Sequence, residues 1–254
     1  MIQIEGLRKA FNGTAVLQGV DFEIRDGETT VIIGRSGGGK SVLLKHLCGL
    51  LKPDAGRVRV NGTDIVPLSE REMTPIRKQF GFLFQGAALF DSMTVFDNVA
   101  FPLREERKFS EAEIAQRVDE ALVIVDLLDA KDKKPAELSG GMRKRAALAR
   151  ACVPKPKYIL YDEPTTGLDP ILADSINDLV LRLRDHFHVT SVAVTHDMVS
   201  AYKIADRIAM LHEGRIHSVG TPREIQTTAD PVVRRFITGG GSTQEAQHGA
   251  VSIH

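Results

Sequence analysis

Apolar and polar residues alternate with period two through the first third of the chain: Ile2 and Ile4, then Val20, Phe22 and Ile24, then Val58 and Val60. The runs are broken at Asn12-Gly13, Asp26-Gly27 and Asn61-Gly62. Such alternation between turn-forming pairs predicts strands, and so a mainly antiparallel layer at the start. Inside that layer sits the apolar strand Thr30-Val31-Ile32-Ile33. A glycine-rich loop follows it, then a helix expected over Ser41 to Leu51, with Val42, Leu43, Leu44 and Leu47 at helical spacing. From about Thr94 to Arg150 the spacing is helical, as in Ile114, Val118, Leu122 and Val125, and Ser110 with Glu113 has the form of a capping box. This stretch predicts a helical lobe. Beyond it, Tyr158 to Tyr161, Val189 to Thr195 and Ile208 to Leu211 are apolar strands separated by helical stretches, the pattern of a parallel sheet with crossovers. From Gly239 onward the pattern dissolves into Gly, Ser, Thr, Gln and His, which predicts a flexible or partner-ordered tail.

Composition narrows the classes. The 254 residues fit one large domain or a core with one inserted lobe. Lys+Arg and Asp+Glu each number 33, a formal net charge of 0, so the strong basic field expected of a nucleic-acid binder is missing. Apolar runs such as Ala121 to Val125 are far shorter than the roughly 20 residues of a membrane span. The start, Met1 to Glu5, lacks the basic and then apolar character of a secretory signal, so the expected compartment is the cytosol. Cys48 and Cys152 are too few for a disulfide framework or a cysteine metal site, and read as small core residues.

Three segments carry candidate chemistry. Gly34-Arg35-Ser36-Gly37-Gly38-Gly39-Lys40-Ser41 fits the phosphate-binding loop pattern of Gly, four residues, Gly, Lys and Ser or Thr. Glycines let the backbone turn its N–H groups and the following helix N-terminus toward a phosphate. Lys40 then adds charge toward the β and γ phosphates, and Ser41 offers a Mg²⁺ ligand. Tyr158-Ile159-Leu160-Tyr161 is an apolar strand that ends in Asp162 and Glu163. Beside a phosphate loop, Asp162 would hold Mg²⁺ and Glu163 would act as general base on the attacking water; the plainer alternative is a turn before Pro164. Leu138-Ser139-Gly140-Gly141 opens a helix rich in Ala and Arg, which makes either a second anion site or a simple helix cap.

The order of segments resembles that of the nucleotide-binding subunit of ABC transporters, over residues 1–238. The phosphate loop is followed by Phe84-Gln85, Leu138-Ser139-Gly140-Gly141, Asp162-Glu163, Gly167-Leu168-Asp169 and Thr195-His196-Asp197. The resemblance implies an α/β fold: a P-loop NTPase core of the RecA-like kind with an N-terminal antiparallel β subdomain, an inserted helical subdomain at about 86–150, and a tail at 239–254. It implies an ATPase with ATP and Mg²⁺ as cofactors. Gly34, Ser36, Gly37, Gly38, Gly39, Lys40, Ser41 and Val42 would then contact the nucleotide. Gln85 would sense Mg²⁺, the water and the transport partner, sharing the metal with Ser41 and Asp162. His196 would touch the γ-phosphate, although a histidine after a strand is also an ordinary surface residue. Phe11, where such proteins carry a ring that stacks on adenine, would form an apolar slot with Val16. Ser139, Gly140, Gly141 and Asp169 would act across a dimer of two copies; Asp169 before Pro170 reads equally as a helix N-cap. Met142 departs from the Gln most common at that place, which removes any hydrogen bond from that side chain and leaves the backbone contacts intact.

A narrower resemblance lies in Leu89 to Glu105 together with Leu138 to Ala151, which look like the ATPases of the Mla type. These energise phospholipid movement across the Gram-negative envelope alongside MCE-domain proteins. The resemblance implies a role in outer-membrane lipid asymmetry, a place on the cytoplasmic face of the inner membrane, and, as partners, a membrane permease, an MCE-domain protein and a small accessory subunit, with no nucleic acid. The competing expectations are the ATPase of a polar-solute importer, a soluble ABC ATPase of nucleic-acid metabolism, and a non-hydrolysing regulatory subunit.

Overall fold

The computed structural model describes residues 1–239. The expectation for the tail therefore lies outside the described residues, apart from Gly239.

Strand β1 (Ile2–Phe11) turns at Asn12-Gly13 into β2 (Thr14–Ile24), with Phe11 opposite Thr14. Both turn residues have positive φ, 49° and 79°, as a two-residue type I′ hairpin requires. The alternation that buries Ile2 and Ile4 would turn position 6 inward, but an irregularity in the pairing between Ile4 and Leu7 resets the phase and buries Leu7 instead. Strand β3 (Thr29–Ile33) leads through the glycine-rich loop into α1 (Lys40–Leu47). Next come β4 (Ala55–Val60), β5 (Thr63–Asp64), α2 (Glu70–Arg77) and β6 (Phe80–Leu83). The helical stretch comprises α3 (Val95–Glu106), α4 (Glu111–Ile124) and α5 (Gly140–Cys152). Afterwards β7 (Tyr158–Asp162), α6 (Pro170–Phe187), β8 (Thr190–Thr195), α7 (Met198–Ile204) and β9 (Arg207–His212) alternate. The described chain closes with β10 (Arg215–Gly220), α8 (Pro222–Thr227) and α9 (Pro231–Ile237).

Two sheets result. The first is antiparallel, in the order β2-β1-β4-β5. The second has the order β10-β9-β3-β8-β7-β6 and is parallel except at its β10 edge, which returns antiparallel to β9. Strands β3, β7 and β8 are buried throughout because both of their faces are covered. Val31, Ile33, Ile159, Tyr161 and Ala193 face a core shared with α3 to α6, whereas Ile32, Leu160, Val192 and Val194 face one shared with α1 and the antiparallel sheet. Cys48 and Cys152 are buried free thiols, and burial pushes both thiols up, Cys48 to about 11.

One helix is shorter than its spacing predicts. α1 stops at Leu47 and not at Leu51, because Gly49 takes φ 67° and the amides of Gly49 and Leu50 return to the carbonyls of His46 and Lys45. This is a Schellman closure, in which a left-handed glycine satisfies the last carbonyls of the helix. The Ser110–Glu113 capping box forms as its sequence implies, with reciprocal bonds of 3.3 Å and 2.8 Å.

Candidate active site

Parallel pairing brings the motif segments to one edge. Ile33 lies opposite Thr195, and Asp162 opposite Val194, so the C-terminal ends of β3, β7 and β8 are adjacent. In open α/β sheets this is where ligands bind. The loop after β3 is built on close approach. A Cβ on Gly34, at φ 155°, would lie 2.4 Å from the Leu211 carbonyl oxygen; one on Gly39, at φ 95°, would lie 2.9 Å from Cγ1 of Val16. Only glycine lets the loop pass there. The first turn of α1 has no side-chain cap and no acidic residue, which leaves its amides open to an anion.

Lys40 is only 5% exposed. Its Nζ donates to the carbonyls of Gly34 at 3.0 Å and Arg35 at 3.1 Å, and lies 3.5 Å from Oε1 of Glu163. The Ser41 hydroxyl donates to Oδ1 of Asp162 at 2.6 Å. Glu163 adopts φ 51°, a left-handed conformation that costs a glutamate about 1 kcal/mol or more, and its amide is fixed to the Val194 carbonyl at 2.9 Å. Its Oε2 accepts from Thr166 Oγ1 at 3.1 Å and sits 2.9 Å from Nδ1 of His196. The Glu163 side chain is buried, whereas that of His196 is 53% exposed. The structure thus brings Lys40, Ser41, Asp162, Glu163 and His196 into one connected cluster.

Other residues singled out in the sequence lie apart from that cluster. Gln85 is exposed in the turn after β6, and among the described residues its side chain makes no hydrogen bond to Ser41, Asp162 or Glu163. Ser139 caps α5, accepting from the Met142 amide at 3.2 Å, and no hydrogen bond or ion pair joins Ser139 to Gly141 with the phosphate loop among the described residues. Asp169 caps α6 through bonds of 3.0 Å from the Ile171 and Leu172 amides, so its N-cap role is real. Phe11 is 42% exposed and therefore not a core ring; the Lys9 ammonium lies 5.4 Å from its centroid. Ser36 and Gly37 are exposed, while Gly38 and Val42 are half-buried.

Two contacts escape sequence reading. Thr166, beside the carboxylate pair, holds Glu163. Lys144, 5% exposed, donates to the Gln85 carbonyl and, at 3.4 Å, to the Glu163 carbonyl. The helical phase offers a signal for Lys144, because it shares a face with the buried Ala147, Leu148 and Ala151.

A phosphate loop between a buried parallel strand and a helix, with a carboxylate pair at the end of a nearby strand, defines a P-loop NTPase. The family model described as ABC transporter matches residues 17–166, and the chain belongs to that family as an ATP-binding subunit. It is 45% identical over 239 residues to a probable ribonucleotide transport ATP-binding protein, mkl, of Mycobacterium leprae, covering 94% of this chain and 69% of that one. Its likeness to the Arabidopsis thaliana chloroplastic protein TRIGALACTOSYLDIACYLGLYCEROL 3 is 40%, over 94% of this chain and 74% of that one. A sulfate/thiosulfate import ATP-binding protein, CysA 1 of Chromobacterium violaceum, is 42% identical over 88% of this chain, which spans 62% of that relative. Among solved structures, an ATP-binding cassette captured as a dimer after hydrolysis with ADP and Pi superposes with a TM-score of 0.81 at 32% identity, over 88% of this chain and 99% of that one.

Proposed function

We propose that Glu163 is the general base of ATP hydrolysis and that the subunit drives phospholipid transport as half of a symmetric pair. The observation that carries the catalytic part is the arrangement of Glu163: a buried carboxylate in a strained backbone, bracketed by Lys40, Thr166 and His196. A base needs such fixed placement within reach of its water. Lys40 and the α1 amides receive the phosphates, Val42 follows in the same helix, and Phe11 with Val16 receives the adenine. The Ser41 hydroxyl and the Asp162 carboxylate, already 2.6 Å apart, suit Mg²⁺, which takes one or two protein oxygens and completes its shell with phosphate and water; Gln85 is the third candidate ligand. Mg²⁺ would supply charge neutralisation on the phosphate oxygens. His196, exposed at the rim, contacts the γ-phosphate. Residues 1–238 form the ATPase domain in this reading, with the helical part at about 86–150.

Ser139, Gly140, Gly141 and Asp169 serve the nucleotide of a second copy. The dimeric state of the solved cassette supports this. The membrane permease docks beside the aromatic residues Phe82, Phe84, Phe90 and Phe101, which line an open groove of about 320 Å³ with Arg150. No helix of the described residues is long and apolar enough to cross a membrane, so a separate permease would carry the cargo. A phospholipid cargo, with an MCE-domain protein and a small accessory subunit as further partners at the inner membrane, rests on the Leu89 to Glu105 segment together with Leu138 to Ala151. The likeness to a relative named for a diacylglycerol glycolipid adds support. The sulfate/thiosulfate relative favours a polar-solute importer as the second reading.

The Glu163→Gln variant tests the catalytic reading: ATP binding is expected to persist while hydrolysis slows by about 10² or more. Wild-type turnover in that variant removes Glu163 from the role. Purification from membranes through a tagged full-length chain, followed by lipid analysis of the complex, decides between the two cargoes.

A further inference from the structure

An ammonium is seldom buried without a carboxylate to pair with, since removing it from water is expensive. Lys144 is such a case. It projects from the second turn of α5 and is 5% exposed. Its Nζ donates to two backbone carbonyls that lie far apart in sequence, those of Gln85 and Glu163. Burial pushes its pKa down, and the nearby charges of Asp162 and Glu163 pull it back up. The two bonds place the Lys144 amino group at the junction of three segments: the turn that carries Gln85, the strand end that carries the catalytic carboxylates, and the helix capped by Ser139.

A second cation of α5 reinforces the hold on the same turn. Arg150 donates to the carbonyls of Ala87 at 2.9 Å and Ala88 at 2.8 Å. Both alanines are left-handed, at φ 62° and 49°, and two consecutive L-residues stay in that region only where their surroundings impose it. The Gln85 to Ala88 turn is thus fastened to α5 at three carbonyls by two side chains.

We propose that Lys144 is a positioning residue for hydrolysis: one buried ammonium, shared between the carbonyls of Gln85 and Glu163, sets the place of the Gln85 turn and of the catalytic carboxylate relative to α5. This inference rests on the catalytic reading of Glu163 given above. Its physical content is that α5 ties two things together in one chain. The N-terminus of α5 faces outward with Ser139 and Gly140 exposed, and one turn later the same rigid element grips the peptide of Glu163. A shift of α5 would move Gln85 and Glu163 with it, because the bonds are to backbone and not to mobile side-chain tips.

The test is steady-state ATP hydrolysis by the complex purified through the tagged full-length chain, comparing Lys144→Met, Lys144→Arg and Glu163→Gln. Methionine keeps the length and removes the charge and the donors. It is expected to lower kcat by about 10-fold or more while KM for ATP stays within about twofold, since the phosphate loop is untouched. Arginine restores a cation with several donors, and is expected to raise kcat above the methionine level at unchanged KM. A merely structural lysine would lower the active fraction and leave no difference between the two at equal folded content by circular dichroism. A kcat within about twofold of wild type in Lys144→Met, or equal kcat in the methionine and arginine variants, overturns the proposal. Should Lys144→Met fail to fold, Lys144→Gln, which keeps a neutral donor, decides by the same criterion: reduced kcat at unchanged KM supports the role, and wild-type kcat overturns it. Loss of turnover in Glu163→Gln with normal turnover in Lys144→Met means that only the positioning role has failed. Normal turnover in Glu163→Gln means that the catalytic reading beneath it has failed.

Discussion

At the scale of single residues, His46 shows how burial acts on a titratable group in the last turn of α1. It lies in α1 with 1% exposure, and its Nδ1 is 2.7 Å from the Val42 carbonyl, which fixes the proton on that nitrogen. Burial is the largest cause that holds the imidazole below its ordinary value of 6.5, with Lys9 adding to the depression; the backbone of Val42, that of Lys52 and the charge of Asp54 oppose it. A base with a depressed folded pKa binds fewer protons folded than unfolded between the two values, so stability rises with pH across that window. The contribution is complete above 6.5 and is lost as pH falls below it toward the folded value. Denaturant midpoints taken from about pH 8 down to pH 5 are expected to decline more steeply in the wild type than in His46→Leu, which cannot acquire the proton. Parallel pH profiles for the two proteins would assign the decline to other groups.

At the scale of elements, the second half of the loop between β6 and α3, from Phe90 to Thr94, is gathered by one side chain. Asn98 is fully buried in the first turns of α3, and its Oδ1 accepts from the Phe90 amide at 2.8 Å. Its Nδ2 donates to the carbonyls of Phe90 at 3.1 Å, Met93 at 3.3 Å and Thr94 at 2.9 Å. Asn98→Ala removes the side-chain partner of the Phe90 amide and of the Met93 carbonyl, while the Phe90 and Thr94 carbonyls keep the amides of Met93 and Asn98; it is expected to cost about 1–3 kcal/mol, read as a lower denaturant midpoint at unchanged slope. Amide exchange should quicken first across residues 89–94, the stretch that leads to the proposed permease groove. Unchanged exchange there would mean that the loop is held by its aromatic packing, Phe90 on Phe101 at 4.9 Å. Elements of this kind also mark where sequence reading stops. Strong local rules made β1, β3, β7, the phosphate loop and the Ser110 capping box legible, since alternation, glycine spacing and cap chemistry act within a few residues. The early end of α1 depends on the left-handed glycine at position 49, visible as a residue but masked by the apolar spacing around it. The burial of Lys144 and the cap formed by Asn98 are products of tertiary packing. Their bonds reach carbonyls that no periodicity connects to them.

At the scale of the whole molecule, the proposed shared site can be tested through the two glycine-rich helix starts, those of α1 and α5. The amides of α1 sit in the cluster with Lys40 and Glu163, whereas the Ser139 end of α5 is exposed and unconnected to the phosphate loop among the described residues. Exposed apolar residues lie at the starts of α6 and α7, with Ile171 82% and Val199 73% exposed. If each nucleotide lies between the phosphate loop of one copy and the Ser139-Gly140-Gly141 start of α5 of the other, a mixed dimer of Lys40→Ala with Ser139→Arg keeps one fully native site. That site joins Lys40 of the second chain to Ser139 of the first, and both lesions fall in the other. If each site is built within one chain, each carries one lesion and neither is intact. The decisive measurement is ATP trapping by purified mixed dimers in the assembled membrane complex, because turnover would fail if both sites must close together. One tightly held ATP per mixed dimer is the expected result. None in the mixed dimer, with both mutant homodimers equally empty and wild type loaded, would place each complete site within a single chain and leave the exposed end of α5 as a capped helix and nothing more.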